Sequence, residues 1–497
     1  MTEKASVDYD VLVVGAGLSG IGAGYRLQTE CPGKTYAILE ARDSIGGTWD
    51  LFRYPGIRSD SDMFTLSFPF RPWTAKNSIA DGPEILQYIK DTAAEFGIDS
   101  QIRFGHRVVA ADWSSATSTW TVTVDRAGTR ETLTCSFLYS CSGYYDYTQG
   151  HEPVWEGMDD FAGQIVRPQF WPEDLDYAGK KVVIIGSGAT AVTLVPSMAD
   201  DAAHVTMLQR SPTWVGIVPK QDKIANRLRK LLPAGLAHQV IRNKNAAFSI
   251  GVYEFCQRQP KLARKVFTGM ATKGIKDEAL VAEHFTPDYD PWDQRLCAIP
   301  NGDLFKKIRN GSVDVVTDHI DRFVPSGIVL KSGRLLEADI VIPATGLKVQ
   351  LFGGVIPTVD GSAVNVHDNF VWQGCMLTGL PNFALCVGYT NASWTLRGDL
   401  TSRLVCKVIN EMDREGAGVV VPVPDGPLEP RPLLDLSSGY IQRALADLPQ
   451  QGHRGAWRVR QNYFIDAATT LRRDLHKTLR FAPAGTRLTD EVLDKSA

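Results

Sequence analysis

The apolar and polar stretches along this chain predict the same unit in two places: a strand, a glycine-rich turn and a helix. Residues 10–14 form a near-continuous apolar run, typical of a parallel strand that is buried on both faces. A helix is predicted over residues 18–29 and a second strand over residues 35–39. The same order returns about 170 residues further on, with strands predicted over residues 181–185 and 204–208. The pattern predicts an α/β fold with two doubly wound units.

The first glycine-rich turn has the spacing of a dinucleotide-binding fingerprint, with Gly15, Gly17 and Gly20 at its glycine positions. These glycines allow a tight turn and let a pyrophosphate approach the free N–H groups of the next helix. Glu40 ends the second strand, where a carboxylate can accept hydrogen bonds from ribose hydroxyls. A glycine-rich turn in an unrelated α/β unit is the alternative, but strand, glycines, helix and acid all agree with a nucleotide site.

The second glycine-rich turn differs from the first at its third glycine position. It runs from Gly186 and Gly188 through Ala189 and Thr190 to Ala191. Alanine is allowed at that last position because the residue there only mediates packing of helix against strand. A second dinucleotide site is therefore predicted.

The residues after the 204–208 strand indicate which nucleotide the second site takes. No acid stands there, but Arg210 and Ser211 do. A carboxylate would repel a 2′-phosphate, whereas a guanidinium group binds it with two hydrogen bonds. The second site is therefore expected to bind NADPH rather than NADH. A surface ion pair is the alternative role for Arg210.

The order of the elements predicts two nested Rossmann-like dinucleotide-binding domains with a helical insert. Residues 1–146 are expected to begin the first domain, and residues 147–174 to be a linker. Residues 175–348 are expected to form the second domain, with the insert at about 218–290. Residues 349–497 would then complete the first domain.

The segment from residue 220 to residue 276 has a helical pattern and is strongly basic. It has 13 Lys and Arg against 2 acidic residues, a net charge of +11, whereas the whole chain carries −3. Such a segment can cover an active site or contact anionic lipid at a membrane surface. A solvated helical face on a subdomain is the alternative.

The overall composition excludes several classes of protein. A net charge of −3 argues against nucleic acid as the main partner. The eight cysteines include no C-x-x-C pair, so no metal site and no thioredoxin-type couple is predicted, and reduced thiols favour the cytoplasm. No apolar stretch approaches the roughly 20 residues of a membrane span. The first strand follows Met1 so closely that no signal peptide is expected.

A motif between the two fingerprints resembles that of type I Baeyer–Villiger monooxygenases, which are class B flavoproteins. Their pattern is matched by Gly46, Gly47, Trp49, Tyr54, Pro55, Gly56 and Asp60. Residues 53–62, 171–175, 186–196 and 389–396 are similar to the ethionamide-activating branch of that family. The likeness covers nearly the whole chain.

The resemblance implies bound FAD, NADPH as the reductant and O2 as the oxidant. Gly47, Thr48, Trp49 and Asp60 are then expected to bind the flavin nucleotide. In the mechanism that the family implies, a peroxide at flavin C4a converts ketones to esters or lactones, or oxygenates sulfides. The expected partners are a small apolar ketone or sulfide and O2.

The resemblance also implies a catalytic pair. Arg295 would supply the fixed positive charge that keeps the peroxide anionic in a water-poor site, and Asp60 would position that arginine. Arginine suits this role because it stays protonated at any working pH. From the residues alone, the alternatives are an ion pair of Arg295 with Asp293 and a helix cap by Asp60 before Met63.

One departure from the family pattern lies in the predicted linker. Arg167 stands where the family has a histidine, and Phe170 stands where this branch has a second one. A histidine can change its charge near neutral pH, whereas an arginine cannot. We therefore expect altered coupling between the domains rather than lost flavin binding. In the benign alternative the position is structural and Arg167 fills it.

Three functions remain open at this point. Ketone oxygenation, with sulfide oxygenation as a second activity, is the first, and a monooxygenase acting on sulfur or nitrogen is the second. The third is an NADPH oxidase or electron-transfer flavoprotein, which the arginine at position 167 keeps open. The substrate pocket is expected to be apolar, lined partly by the insert and by Tyr389 and Trp394. Alternatively, these two aromatic residues belong to an ordinary core.

Overall fold

A computed structural model describes residues 6–434 and 436–487 of the chain. Up to Ser140 it begins with a strand, a helix and a second strand, as the apolar pattern predicts, and continues with three more α-helices and four more strands. The strands of this part are β1 (Tyr9–Val14), β2 (Tyr36–Leu39), β3 (Ile102–Arg103), β4 (Arg107–Ser114), β5 (Thr119–Arg126) and β6 (Thr129–Ser140). The α-helices are α1 (Leu18–Glu30), α2 (Thr48–Leu51), α3 (Met63–Leu66) and α4 (Gly82–Glu95).

The middle of the chain holds a second set of strands and most of the helices. Its strands are β7 (Gln164–Ile165), β8 (Lys181–Ile185), β9 (His204–Gln209), β10 (Val215–Val218), β11 (Cys297–Pro300), β12 (Val313–Thr317), β13 (Ile320–Val324), β14 (Gly327–Leu330), β15 (Leu335–Glu337) and β16 (Ile340–Pro343). Its α-helices are α5 (Ala189–Met198), α6 (Lys223–Leu231), α7 (Ala234–Arg258), α8 (Pro260–Ile275), α9 (Glu278–His284) and α10 (Asp303–Arg309).

The last part of the described chain contributes shorter strands around one long helix. Its strands are β17 (Thr358–Val359), β18 (Ser362–Ala363), β19 (Val371–Trp372), β20 (Met376–Leu377), β21 (Phe383–Leu385), β22 (Val419–Pro422), β23 (Pro430–Pro432), β24 (Gln450–Gly452) and β25 (Leu479–Ala482). The α-helices are α11 (Trp394–Glu415), α12 (Gly439–Gln442) and α13 (Tyr463–Thr469).

The first large sheet has nine strands, in the order β18-β17-β4-β5-β6-β1-β2-β3 with β21 paired to β6. Its β6-β1-β2-β3 part is parallel, whereas β4, β5 and β6 form an antiparallel meander. Val11, Leu12 and Val13 of the central strand β1 are completely buried. The apolar run at residues 10–14 therefore reflects burial on both faces of the sheet.

The second large sheet has five parallel strands, in the order β12-β9-β8-β16-β7. Its edge strand β7 comes from the segment expected to be a linker, and it pairs Ile165 with Val341 of β16. Part of that segment thus belongs to the second sheet. Two residues are too short a run for the apolar pattern to reveal, so sequence reasoning missed this strand.

Strands from both ends of the chain meet in the first sheet. β17, β18 and β21 all join it, and α11 packs against α1. Arg26 of α1 and Asp399 of α11 form an ion pair of 2.7 Å between these helices. The chain thus returns to the first sheet after residue 349, although the domain boundaries stay predictions.

The insert is helical, as expected, and one buried arginine attaches it to the rest of the molecule. Arg242 of α7 donates hydrogen bonds to the carbonyls of Thr65 (3.0 Å) and Ser67 (2.7 Å) at the end of α3. These carbonyls have no partner within so short a helix, and the guanidinium group satisfies them. The long insert helix α7 is thereby fixed beside the short helix α3.

Candidate active site

A cavity of about 630 Å³ is lined by residues of both glycine-rich turns. Of the residues predicted from the sequence, the lining includes Gly15, Gly17, Glu40, Gly47, Thr48, Trp49, Asp60, Ala189, Thr190 and Arg295. The other predicted residues lie outside the lining, namely Gly20, Gly186, Gly188, Arg210 and Ser211. The fold thus brings two turns that are far apart in sequence to one cavity.

The first turn leaves a helix end open toward the cavity. Helix α1 begins after Gly17, and no side chain caps its first N–H groups. Gly15 has φ +101°, and a Cβ there would lie 2.8 Å from the carbonyl oxygen of Cys141. A side chain at this position would therefore clash with the backbone. Free N–H groups beside a backbone without side chains suit the pyrophosphate of a dinucleotide.

Glu40 lies at the carboxyl end of β2 and holds the turn in place. Its side chain accepts hydrogen bonds from the backbone N–H of Ala16 (2.7 Å) and from that of Arg42 (2.9 Å). Burial raises the pKa of Glu40, since few waters reach the carboxylate. The acid therefore stabilises the first turn while it faces the cavity.

The Gly47-Thr48-Trp49 segment forms another side of the cavity. Gly47 has φ +55°, and a Cβ there would stand 3.1 Å from the Cα of Gly17. The two backbones thus approach each other closely, as glycine permits. The hydroxyl of Thr48 forms a hydrogen bond of 2.7 Å with the hydroxyl of Tyr145.

Asp60 and Arg295 form an ion pair at the cavity wall. The two side chains are 40% and 39% exposed, so the pair stays open to the cavity. The charge of Asp60 raises the pKa of Arg295 further above its ordinary value. The guanidinium group therefore stays positively charged at every working pH.

Neither alternative role is found: Arg295 does not pair with Asp293, and Asp60 does not cap α3. The carboxylate of Asp293 accepts a hydrogen bond from the N–H of Asp290 (3.1 Å), and Arg295 pairs with Asp60 instead. The cap of α3 is Asp62, which accepts a hydrogen bond from the N–H of Thr65 (3.0 Å). Asp60 is thus free to face Arg295.

Neutral side chains surround this ion pair. Burial raises the pKa of Tyr144 to about 12 and that of the Cys297 thiol to about 12. Burial also raises the pKa of Tyr440. These three groups are therefore protonated near neutral pH, and they leave the positive charge of Arg295 facing the cavity.

The second turn also starts an uncapped helix. Helix α5 begins after Gly188 without a side-chain cap, and its Ala189 and Thr190 line the cavity. Arg210 and Ser211 follow β9 and are exposed. Among the described residues no ion pair of Arg210 is found, so the alternative of a surface ion pair is not supported.

A second arginine accompanies Arg210. Arg443, which follows α12, has its pKa lowered by partial burial and by repulsion from Arg210. Neither guanidinium group has a carboxylate partner within the described part of the chain. Two neighbouring unpaired cations form a place for an anion such as a phosphate.

The expected aromatic residues line the cavity, but the insert does not. Trp394 stacks on Tyr144 with ring centroids 5.4 Å apart and donates a hydrogen bond of 2.7 Å to Ser19. The hydroxyl of Tyr389 donates a hydrogen bond of 2.7 Å to Asp466. No described residue between 218 and 290 is part of the lining, so the expected contribution of the insert was wrong. Helix α7 packs on α3 instead, outside the cavity.

Sequence reasoning found Tyr389 but missed four other tyrosines of this site. Tyr144, Tyr145 and Tyr147 line the cavity directly after β6. Their signal was available, because residues at the carboxyl end of a parallel strand border the nucleotide crevice of such a sheet. Tyr440 also lines the cavity, but it comes from a distant part of the chain and carried no motif.

Arg167 and Phe170 lie outside the cavity lining, on the segment that contains β7. The Nε of Arg167 is 2.7 Å from a carboxylate oxygen of Glu152, and both side chains are exposed. Phe170 is also exposed. The departure from the family pattern thus lies on the surface, next to the edge of the second sheet.

A family model connects this geometry with known proteins. The model for flavin-binding monooxygenase-like proteins matches residues 62–373, which is more than half of the chain. A second model, for an NAD(P)-binding Rossmann-like domain, matches residues 13–75 around the first turn. The chain therefore belongs to the flavin-binding monooxygenase-like family.

Curated relatives narrow this class. The chain is 54% identical to the FAD-containing monooxygenase EthA of Mycobacterium tuberculosis over 476 residues, covering 95% of this chain and 97% of that protein. It is 46% identical to the probable FAD-binding monooxygenase AlmA of Acinetobacter baylyi, over 92% of each chain. The predicted resemblance to type I Baeyer–Villiger monooxygenases of the ethionamide-activating branch is confirmed.

Solved structures share the fold. An oxidised steroid monooxygenase bound to NADP matches with a TM-score of 0.76 at 22% identity, over 96% of this chain and 99% of that one. A cyclohexanone monooxygenase matches with a TM-score of 0.74 at 20% identity, over 95% and 99%. The α/β fold with Rossmann-like domains is confirmed.

The class of enzyme and its cofactors are those predicted: a monooxygenase that uses FAD and NADPH. The residues at the cavity fit these groups, since two uncapped helix ends and closely approaching glycines face it. None of the helices within residues 6–434 and 436–487 is long and apolar enough to cross a membrane.

Proposed function

We propose that this enzyme inserts one oxygen atom of O2 into small apolar ketones, giving esters or lactones, and that it also oxygenates sulfides. The observation that carries this proposal is the Arg295–Asp60 ion pair, which faces a cavity shared by both glycine-rich turns. Reduced FAD, when bound, supplies the activation of O2. The protein supplies binding, orientation and a fixed charge.

The proposed role of Arg295 follows from its permanent charge. A guanidinium group at the cavity wall stabilises negative charge that develops on oxygen during the reaction. Asp60 holds the guanidinium group in one orientation, since the two side chains are directly paired. We assign Arg295 as the catalytic cation and Asp60 as the residue that positions it.

We propose that each glycine-rich turn binds one of the two cofactors. FAD would take the first turn, at Gly15, Gly17, Gly20 and Glu40, together with the Gly47, Thr48, Trp49 and Asp60 wall. NADPH would take the second turn, at Gly186, Gly188, Ala189 and Thr190, with its 2′-phosphate at Arg210 and Ser211. The two turns would then bring both nucleotides to one cavity.

The aromatic wall supports an apolar substrate. Tyr144, Tyr389 and Trp394 line the cavity, and Trp394 stacks on Tyr144. Such a wall favours a substrate with one polar group and an apolar body. The eight cysteines are all buried and unpaired, which supports a reducing compartment such as the cytoplasm.

The test measures NADPH consumption by the FAD-loaded enzyme in air, with and without phenylacetone or thioanisole, and quantifies product and hydrogen peroxide together. We expect ester from phenylacetone and sulfoxide from thioanisole, in amounts that match the NADPH consumed. Peroxide equal to NADPH with both substrates would contradict the proposal and favour an oxidase. Sulfoxide without ester would restrict the activity to heteroatoms.

A further inference from the structure

We propose that the enzyme docks on anionic lipid bilayers through its helical insert. The insert surface is defined here as the exposed faces of α6, α7 and α8. Its charge pattern led to peripheral membrane contact as one expectation, and the structure adds the side chains that would make the contact. This proposal is independent of the ketone oxygenation proposed above.

Exposed apolar side chains are concentrated on the insert surface. Of the 14 large hydrophobic side chains exposed in the described part of the chain, seven lie between residues 224 and 266. Phe248 is 71% exposed, Leu231 70% and Ile224 62%. Scattered single residues of this kind are ordinary, whereas seven within one helical segment are a concentration that calls for a partner.

Helix α7 is buried and anchored on one side, so its exposed apolar side chains cannot turn inward. Leu236 and Val240 lie one turn apart on the exposed side of this helix, and Phe248 is exposed two turns further on, at the border of the buried side. On its buried side, Ile241 is 1% exposed and Arg242 donates hydrogen bonds to the carbonyls at the end of α3. The buried side of α7 is thus anchored, and its exposed apolar side chains stay available for a partner.

Exposed basic side chains accompany the apolar ones on the helices of the insert. Lys223, Arg227 and Lys230 are exposed on α6, and Lys261 and Lys265 are exposed on α8. No ion pair neutralises these five side chains within the described part of the chain. Basic side chains beside apolar ones on a helix surface are the pattern of helices that lie in the interface of an anionic membrane.

The charge and apolar character of the insert surface favour an anionic bilayer over other partners. A second copy that used the same face would place one +11 segment against another. A nucleic acid would satisfy the lysines but would leave Phe248 and Leu231 exposed. An anionic bilayer offers phosphate groups for the cations and acyl chains for the apolar side chains.

Docking would hold the active-site region near the membrane. Asn245 of α7 donates a hydrogen bond of 2.8 Å to Asp62, two residues after Asp60 of the cavity wall. The outer face of α7 and this wall segment are therefore on opposite sides of a single helix. An apolar substrate dissolved in the bilayer would be concentrated beside the enzyme.

The first experiment measures sedimentation of the FAD-loaded, full-length enzyme with vesicles. One set contains phosphatidylcholine alone, and the other equal parts of phosphatidylcholine and phosphatidylglycerol, at low and high salt. We expect binding to the anionic vesicles only, weakened by salt. The triple variant Lys223→Gln, Arg227→Gln, Lys230→Gln should lower the partition coefficient at least about tenfold.

A matched triple variant controls for loss of charge. Arg130→Gln, Lys180→Gln and Lys477→Gln also remove three exposed basic side chains, but outside the insert. This variant should bind anionic vesicles as the unmodified enzyme does. FAD content and the melting temperature are compared in every variant.

The second experiment tests the apolar contact without removing any charge. All eight native cysteines are buried, so Phe248→Cys provides an accessible thiol for a polarity-sensitive fluorophore. Val154→Cys is the control, since Val154 is 92% exposed far from the insert in sequence. Anionic vesicles should shift the emission to the blue at position 248 and leave it unchanged at position 154.

Three results would overturn the proposal. The first is an unmodified enzyme that does not bind anionic vesicles. The second is equal binding by the two triple variants, and the third is an equal fluorescence response at positions 248 and 154. If the insert triple variant loses FAD, the fluorophore experiment decides. Self-association that Phe248→Ser abolishes, without vesicle binding, would assign the surface to a second copy.

Discussion

Asp60 and Arg295 are 235 residues apart in the chain, yet their side chains form one ion pair. The sequence contained both residues, and only the family resemblance connected them. From the residues alone, the favoured partner for Arg295 was Asp293. Tertiary structure chose Asp60 because the turn at residues 290–293 directs the carboxylate of Asp293 back to the N–H of Asp290.

The paired charge predicts the effect of Asp60→Asn. We expect product formation to fall about a hundredfold, because the guanidinium group would lose the carboxylate that fixes its position. The measurement is kcat for ester formation together with the peroxide released per NADPH. Peroxide per NADPH should rise, and both values are normalised to the FAD content of the variant.

Asp293→Asn is the matched control for this experiment. It removes a carboxylate from the same turn as Arg295 without touching the ion pair. It should keep ordinary kcat and ordinary coupling. Equal losses in the two variants would assign the effect to the turn and remove Asp60 from the proposed mechanism.

The proposed contact of Arg210 with the 2′-phosphate predicts that the enzyme binds NADP⁺ more tightly than NAD⁺. Arg210→Gln should raise the Kd for NADP⁺ about ten- to hundredfold, the range for hydrogen bonds to a charged group. The Kd for NAD⁺, which lacks the 2′-phosphate, should not change. Titration calorimetry of the FAD-loaded enzyme measures both constants.

Arg130→Gln serves as the control for Arg210→Gln, because Arg130 is another exposed arginine, outside the cavity lining. It should leave both dissociation constants unchanged. If Arg210→Gln weakened NADP⁺ and NAD⁺ equally, Arg210 would have a structural role, and Arg443 would become the better candidate for the 2′-phosphate.

At the scale of the elements, the strongly apolar segments were predictable and the short ones were not. The first strand and helix agree with their predicted ranges to within one residue. The β8 strand has the predicted bounds. Strand β7 was missed because two residues carry no periodicity, and it makes the segment after Phe161 part of the second sheet.

The edge strand β7 ends two residues before Arg167. Arg167 follows this edge strand and pairs with Glu152 across the same segment. An exposed ion pair contributes about 0–1 kcal/mol to stability. Any effect of having arginine in place of the family histidine should therefore appear in the coupling of NADPH consumption to product formation, and not in folding.

Arg167→His should therefore change how tightly NADPH consumption is coupled to product formation, and the change should depend on pH. Histidine is positively charged below a pKa of about 6.5 and neutral above it. The variant should resemble the unmodified enzyme at low pH and release less peroxide per NADPH at high pH, where the charge is lost. The measurement is peroxide and NADPH across this range.

Glu152→Gln is the control, since it breaks the same ion pair but keeps the charge of Arg167. Its coupling should not vary with pH in the manner of Arg167→His. An unchanged rate and an unchanged peroxide fraction in Arg167→His would end the hypothesis and leave Arg167 a structural residue.

At the scale of the whole molecule, the two sheets present both glycine-rich turns to one cavity. The sheet order explains this, because the turns follow the carboxyl ends of β1 and β8, the edge at which parallel sheets bind their ligands. Tyr144, Tyr440 and Trp394 come to the same cavity from separate parts of the chain. Motif spacing carries no information about such distant neighbours.

The sequence by itself determined the α/β class, the two nucleotide turns and the family. These features depend on local periodicity and on short motifs, which the backbone geometry of a strand, turn or helix imposes directly. Tertiary structure showed that Arg295 pairs with Asp60 rather than with Asp293, and it alone decided the wall of the cavity and the exposure of the apolar side chains of the insert. These features depend on which distant surfaces pack together, because long-range burial and charge neutralisation are settled only when the chain is folded.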